Sequence, residues 1–116
     1  MSTNLPDGGL FAQALDILDQ RGWSQGMMED AEGRVCILGA CNLAAFGNAF
    51  GAPCDDTPEA DAAYEAEQVI WGQVAREVVG SRLGAVGPWN DDPTTTVDDV
   101  KQALRRLSYL YDEPES

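Results

Sequence analysis

Two turns in this chain combine an indole with a carboxamide, and they are its best candidates for recognition chemistry. Trp23 and Gln25 lie within Gly22-Trp23-Ser24-Gln25-Gly26, while Trp89, Asn90 and Asp91 are consecutive. An indole offers a broad apolar face and one N–H donor, and a carboxamide can both donate and accept. Groups of this kind can line a shallow pocket, the rings covering a small ligand and the amides binding its polar atoms. Alternatively, the rings can close a core while Gln25 and Asn90 hydrogen-bond loop backbone. Trp23, Gln25, Trp89, Asn90 and Asp91 are therefore the candidate binding residues, and the structural use is the one expected.

Other chemistries are poorly supplied. The chain has no histidine, which removes the usual general base and the Ser-His and Cys-His nucleophile pairs. Ser24 and Cys36 are left without an activator, and Lys101, the single lysine, falls among positions expected to face solvent. Cys36 and Cys41 match no metal-ligand spacing and read as buried, apolar-behaving thiols, whereas Cys54 lies in a loop. Asp55-Asp56, Asp91-Asp92 and Asp98-Asp99 could in principle hold a cation or form an acid–base pair. Their places near predicted helix starts and loops favour capping and solvation. No glycine pattern makes a phosphate loop, so neither a metal nor a cofactor is expected.

Charge narrows the partners. Seven Lys and Arg against twenty Asp and Glu give a net charge of −13. Residues 1–50 hold six acids and two bases, and residues 51–116 hold fourteen and five. Such a balance repels phosphate backbones and anionic lipid surfaces, so direct nucleic-acid binding and membrane association are not expected. The first residues lack a basic and an apolar region, and no run is long enough to span a bilayer. Three cysteines cannot all pair within one chain, which points to free thiols in a reducing, cytoplasmic setting.

The elements that must position these residues read as mainly α-helical. A loose tail over residues 1–8 precedes a single domain at 9–111, and residues 112–116 form an acidic tail. Helix one is predicted from Gly9 to Arg21, with Gly22 at its C-cap. Met27 to Val35 reads as a short β-hairpin turning at Asp30-Ala31-Glu32-Gly33. Val35 to Phe46 is apolar on every side except at Asn42, so a helix there must be buried all round. Gly39 within it loses about 1 kcal/mol of helix propensity relative to Ala, which suits a close approach of a neighbour. Thr57-Pro58 opens a third helix, with Val69, Ile70, Trp71, Val74, Val78, Val79 and Leu83 as its apolar stripe and Gly80 or Gly84 at its end. Gly87 to Pro93 reads as a rigid loop. Thr95 or Thr96 then opens a fourth helix carrying Val97, Val100, Leu104, Leu107 and Tyr111. The expected fold is all-α: a compact bundle of about four helices around a buried central helix, with one short hairpin.

Gly22-Trp23-Ser24-Gln25-Gly26, Gly33-Arg34-Val35-Cys36-Ile37-Leu38-Gly39-Ala40 and Trp89-Asn90-Asp91, in this order, resemble a family of small proteins of unknown function from actinobacteria and their phages. Its members share a W-x-Q-G turn, a D-G-R-x-C-x-x-G-A segment and a W-N-D loop before a last helix. The resemblance covers most of residues 9–110 and implies architecture and provenance, not a reaction. Ser24 stands where many relatives carry Cys or Thr, and Glu32 where Asp is commoner. A catalytic cysteine at position 24 would thus be lost here, and variation at that position speaks against such a role.

Together these readings describe an acidic, non-enzymatic accessory protein, phage-borne or phage-derived, that binds a host or phage protein. A DNA-mimic inhibitor is one version, since closely spaced carboxylates can imitate phosphates. The alternative is a small-molecule-binding protein, or an enzyme using Asp91 or Asp92 with Asn90 and Gln25, sited at the two aromatic–amide turns.

Overall fold

Helix α1 spans Gly9–Arg21 and turns Leu10, Phe11, Ala14 and Leu18 into the core. The computed structural model describes residues 9–51, 57–80 and 82–111, so the expected tails, Cys54 and Asp55-Asp56 lie outside the described residues. Four further α-helices follow: α2 (Ile37–Phe46), α3 (Pro58–Val79), α4 (Val86–Asp91) and α5 (Val97–Tyr111), with a 3-10 turn at Leu83–Ala85. Helix α2 touches both α1 and α3, while α5 packs on α1 and α3. The Cα radius of gyration is 13.4 Å, in line with roughly 13 Å for a compact domain of about 100 residues. None of the described helices is long and apolar enough to cross a membrane.

Local chemistry fixes most helix ends where the sequence places them. Thr57 accepts the Ala60 N–H at 3.1 Å, and Pro58 fills the first position of α3, where no N–H is needed. Gly47 and Gly80 close α2 and α3 in the left-handed conformation. At α5, Thr96 and Asp99 form a reciprocal capping box: the Thr96 N–H donates to Asp99 Oδ2 at 3.0 Å, and the Asp99 N–H to Thr96 Oγ1 at 3.2 Å.

Helix α2 is the core helix only over its first half. Every residue from Ile37 to Asn42 is buried, but Leu43 to Phe46 are half-exposed. Its N-cap is Cys36, whose sulfur accepts the Gly39 N–H at 3.3 Å. The close approach at Gly39 comes from backbone rather than from a helix or ring: a Cβ there would fall on the Met28 carbonyl oxygen.

Four expectations need correction. No hairpin forms; Val35 makes isolated bridges to Trp23 and Glu29, and no sheet exists among the described residues. The Arg34 N–H, which a ladder would pair with the Asp30 carbonyl, donates to the Asp30 carboxylate instead, as do the Glu32 N–H and the Arg34 guanidinium. The Gly87-to-Pro93 loop is largely helix α4, because Pro88 falls in its first turn, where a missing N–H costs little. Lys101 does not simply face solvent: it is half-buried and pairs with Asp19 at 2.8 Å, tying α5 to α1. The α3 stripe is also shifted. Val69 is exposed, and Glu67 is buried on the same helix.

Gly39 and Gly72 should respond oppositely to alanine. At Gly39 the backbone must move, so Gly39→Ala should lower stability by about 1–3 kcal/mol despite better propensity. A Cβ at Gly72 meets nothing within 4 Å. Gly72→Ala should therefore raise stability by about 0.5–1 kcal/mol. Urea midpoints of the two variants that move in the same direction would contradict this packing.

Candidate functional site

The two aromatic–amide turns, 67 residues apart at Trp23 and Asn90, meet in space. The chain leaves α1 at Gly22 and runs beside Val35, with the Ser24 N–H bonded to the Val35 carbonyl at 2.9 Å. Short helix α4 carries Asn90 and Asp91 up to this segment.

Asn90 is buried, and its side chain has a partner for every hydrogen-bonding direction it presents. Its Oδ1 accepts the Trp23 indole N–H at 2.8 Å and the Ile37 backbone N–H at 3.1 Å. Its Nδ2 donates to the Ser24 carbonyl at 3.1 Å and to Asp91 Oδ1 at 3.0 Å. Gln25 reaches the other way, donating to the Asn90 and Asp92 carbonyls, each at 3.1 Å. Asp91 Oδ1 also accepts the Gly26 N–H at 2.7 Å. Four of the five candidate residues are thus brought together, in the bonding pattern expected of a structural junction. Trp89 is not among them. It packs against the core and faces a separate groove between α3 and α5, with Glu77, Asp99, Gln102 and Arg106.

Beside this junction opens a cleft of about 150 Å³. Met27, Met28, Ile37, Leu38 and Val86 give it an apolar lining, and Gly26, Gly87, Asn90 and Asp91 also border it. Cys36 lies at its base. Burial pushes the Cys36 thiol pKa up, and the nearby Asp91 charge adds to this, against backbone N–H groups that favour the thiolate. The thiol also donates towards the Met28 thioether at 3.9 Å. Such a group is a poor nucleophile at neutral pH. The Ser24 hydroxyl is likewise committed, donating to the Met27 carbonyl at 3.0 Å.

The carboxylate pairs divide between local roles. Asp92 accepts from the Thr94 hydroxyl and N–H, which together hold its pKa below the usual carboxylate value. Asp99 belongs to the α5 cap, as described above. Among the described residues, no group of three His, Cys, Asp or Glu side chains is arranged to hold a metal ion.

Sequence reasoning missed the cleft walls. The adjacent Met27-Met28 was the available signal, since methionine suits an adaptable apolar surface. It also missed a second indole–amide pair: the Trp71 N–H donates to Asn42 Oδ1 at 3.0 Å, and Asn42 Nδ2 donates to the Ala49 carbonyl at 3.0 Å. Asn42, the lone polar residue of an apolar helix, was the clue there.

Two outcomes follow from this geometry. Asn90→Ala should destabilise by about 2–4 kcal/mol, because buried donors and acceptors lose their partner at once. Asp91→Ala should lose less, about 1–2 kcal/mol, since it orphans one buried Asn90 N–H while the exposed Gly26 N–H can turn to water. Chemical denaturation of both beside wild type checks the order, and equal losses would contradict it. Native Cys36 should react with a thiol reagent far more slowly than in denaturant, as peptide mapping of the labelled site would record.

The chain matches no curated protein and no solved structure. One family model does match, over residues 2–108, and the protein belongs to that family, described as a family of unknown function (DUF6197).

Proposed function

We propose that this chain acts as a non-catalytic protein-binding module, whose cleft between Met27-Met28 and α4 takes one apolar side chain of a partner. The size of the cleft carries this reading. At about 150 Å³ it is well below the roughly 300–1,000 Å³ of typical small-molecule and cofactor sites. It matches the space that holds one benzene-sized group, the scale of a leucine or phenylalanine side chain. Flexible methionine walls fit such a role, because they repack around differently shaped apolar groups. Met27 is 56% exposed at the rim, an apolar side chain left in water by the fold itself.

The polar groups nearby support binding over catalysis. The Asn90 amide, the Gln25 amide, the Trp23 N–H and the Ser24 hydroxyl are all engaged within the chain. The DNA-mimic version draws less support, since Asp92 and Asp99 serve a local turn and a helix cap and Asp91 accepts the Gly26 N–H.

Gly87 offers a clean test. It borders the cleft, and a Cβ there meets nothing within 4 Å. Gly87→Leu should fill the cleft from within and leave stability equal or slightly higher, because leucine is the better helix former. Peptides selected from a random displayed library on the immobilised wild-type chain should share one apolar residue. They should bind Gly87→Leu at least about tenfold more weakly, the scale of a lost anchor contact. Selected peptides that bind both proteins equally would overturn the reading.

A further inference from the structure

The cleft joins an apolar interior to a charge that the fold leaves uncompensated. Among the described residues, Asp19, Glu29, Asp30, Glu32 and Glu77 each meet a lysine or arginine. Asp91, on the cleft rim, takes part in none of these ion pairs. Its two hydrogen bonds, from the Gly26 N–H and from Asn90 Nδ2, need an acceptor oxygen but not a negative charge. Asparagine would accept both. Asp92, next in the chain, is exposed; its carboxylate accepts from the Thr94 hydroxyl and N–H, and no lysine or arginine pairs with it among the described residues. The whole chain carries −13, so its net field is negative.

We infer that the occupant is a basic segment of a partner protein, carrying one apolar anchor residue flanked by lysine or arginine. The inference rests on the proposed protein-binding reading and specifies its partner. The anchor fills the space between Met27, Met28, Leu38 and Val86, and the flanking cation pairs with Asp91. The apolar contact then supplies most of the affinity, while the charges set register and speed the encounter. An acidic or neutral segment would desolvate Asp91 without repaying it.

Three capped pentapeptides separate the terms: Lys-Lys-Leu-Lys-Lys, Ser-Ser-Leu-Ser-Ser and Lys-Lys-Ala-Lys-Lys. Each is titrated into the 15N-labelled full chain at low salt, following the amides of Gly26, Leu38 and Gly87. The basic leucine peptide should shift all three, and the serine version should bind at least about fivefold more weakly, since exposed ion pairs contribute up to about that factor each. The alanine version should leave Leu38 unmoved. Asp91→Asn keeps the acceptor and removes the charge, so it should weaken the basic leucine peptide about threefold to fivefold and leave the serine peptide unchanged. If the two leucine peptides bind the cleft equally, the basic partner is wrong and the apolar cleft stands. If the alanine peptide shifts the same amides as strongly, the attraction is bulk charge and the inference falls. If neither leucine peptide moves these resonances, the protein-binding reading of the cleft falls with it.

Discussion

Asn90 has 1% of its surface exposed and must place two N–H donors and a carbonyl oxygen without help from water. It does so by drawing on three separate stretches of chain: Trp23 and Ser24 after α1, Ile37 at the start of α2, and Asp91 beside it on α4. A buried amide that lost one of these partners would carry the desolvation cost of that one group. The junction draws on all of them. It fixes where α4 meets the excursion between α1 and α2, and with it the width of the cleft those elements border.

Helix α2 depends on the same constraint from its other side. An apolar helix has no polar face of its own to meet water, so each free backbone donor at its start needs a designated acceptor. The Ile37 N–H goes to Asn90 and the Gly39 N–H to the Cys36 sulfur. Glycine at position 39 lets the Met28 carbonyl lie against the helix, and that oxygen in turn accepts the Cys36 N–H at 3.2 Å. Farther along, Asn42 repeats the solution with Trp71 and Ala49. The two indole–amide pairs pin one helix at its start and at its middle, the first to α4 and the second to α3.

What could be read from the sequence was whatever short-range chemistry decides. The limits of α1, the Thr57-Pro58 start, the glycine ends of α2 and α3 and the Thr96–Asp99 box all depend on residues within a turn of one another. The pairing of Gln25 and Asn90 with loop backbone was also legible, because buried amides have few other uses. The hairpin failed because Asp30 captures the donors of its own turn, an outcome that β-propensity does not weigh. Helix α4 was hidden by Gly87-Pro88, which signals a loop unless the proline lands in a first turn. Burial of Glu67 and Lys101, and exposure of Val69, follow from which helix lies opposite. No local pattern encodes that. The cleft belongs to the same class, since its walls come from three segments that only the folded chain brings together.

The division of labour at the junction bears on what kind of site this fold can offer. A catalytic or small-ligand site keeps polar groups free for a substrate and accepts some loss of stability for doing so. Here the amides, the indole N–H and the serine hydroxyl are engaged by partners within the chain. What faces outward is methionine surface and one carboxylate whose charge meets no cation among the described residues. In the proposed reading, those features would recognise shape, apolarity and sign of charge. In that reading, a polar junction behind a methionine-lined surface would hold the cleft open for a partner side chain, to which the methionines would adjust. The buried Cys36 thiol is consistent with that arrangement, because at the base of such a cleft it serves as a helix cap and a contact for Met28.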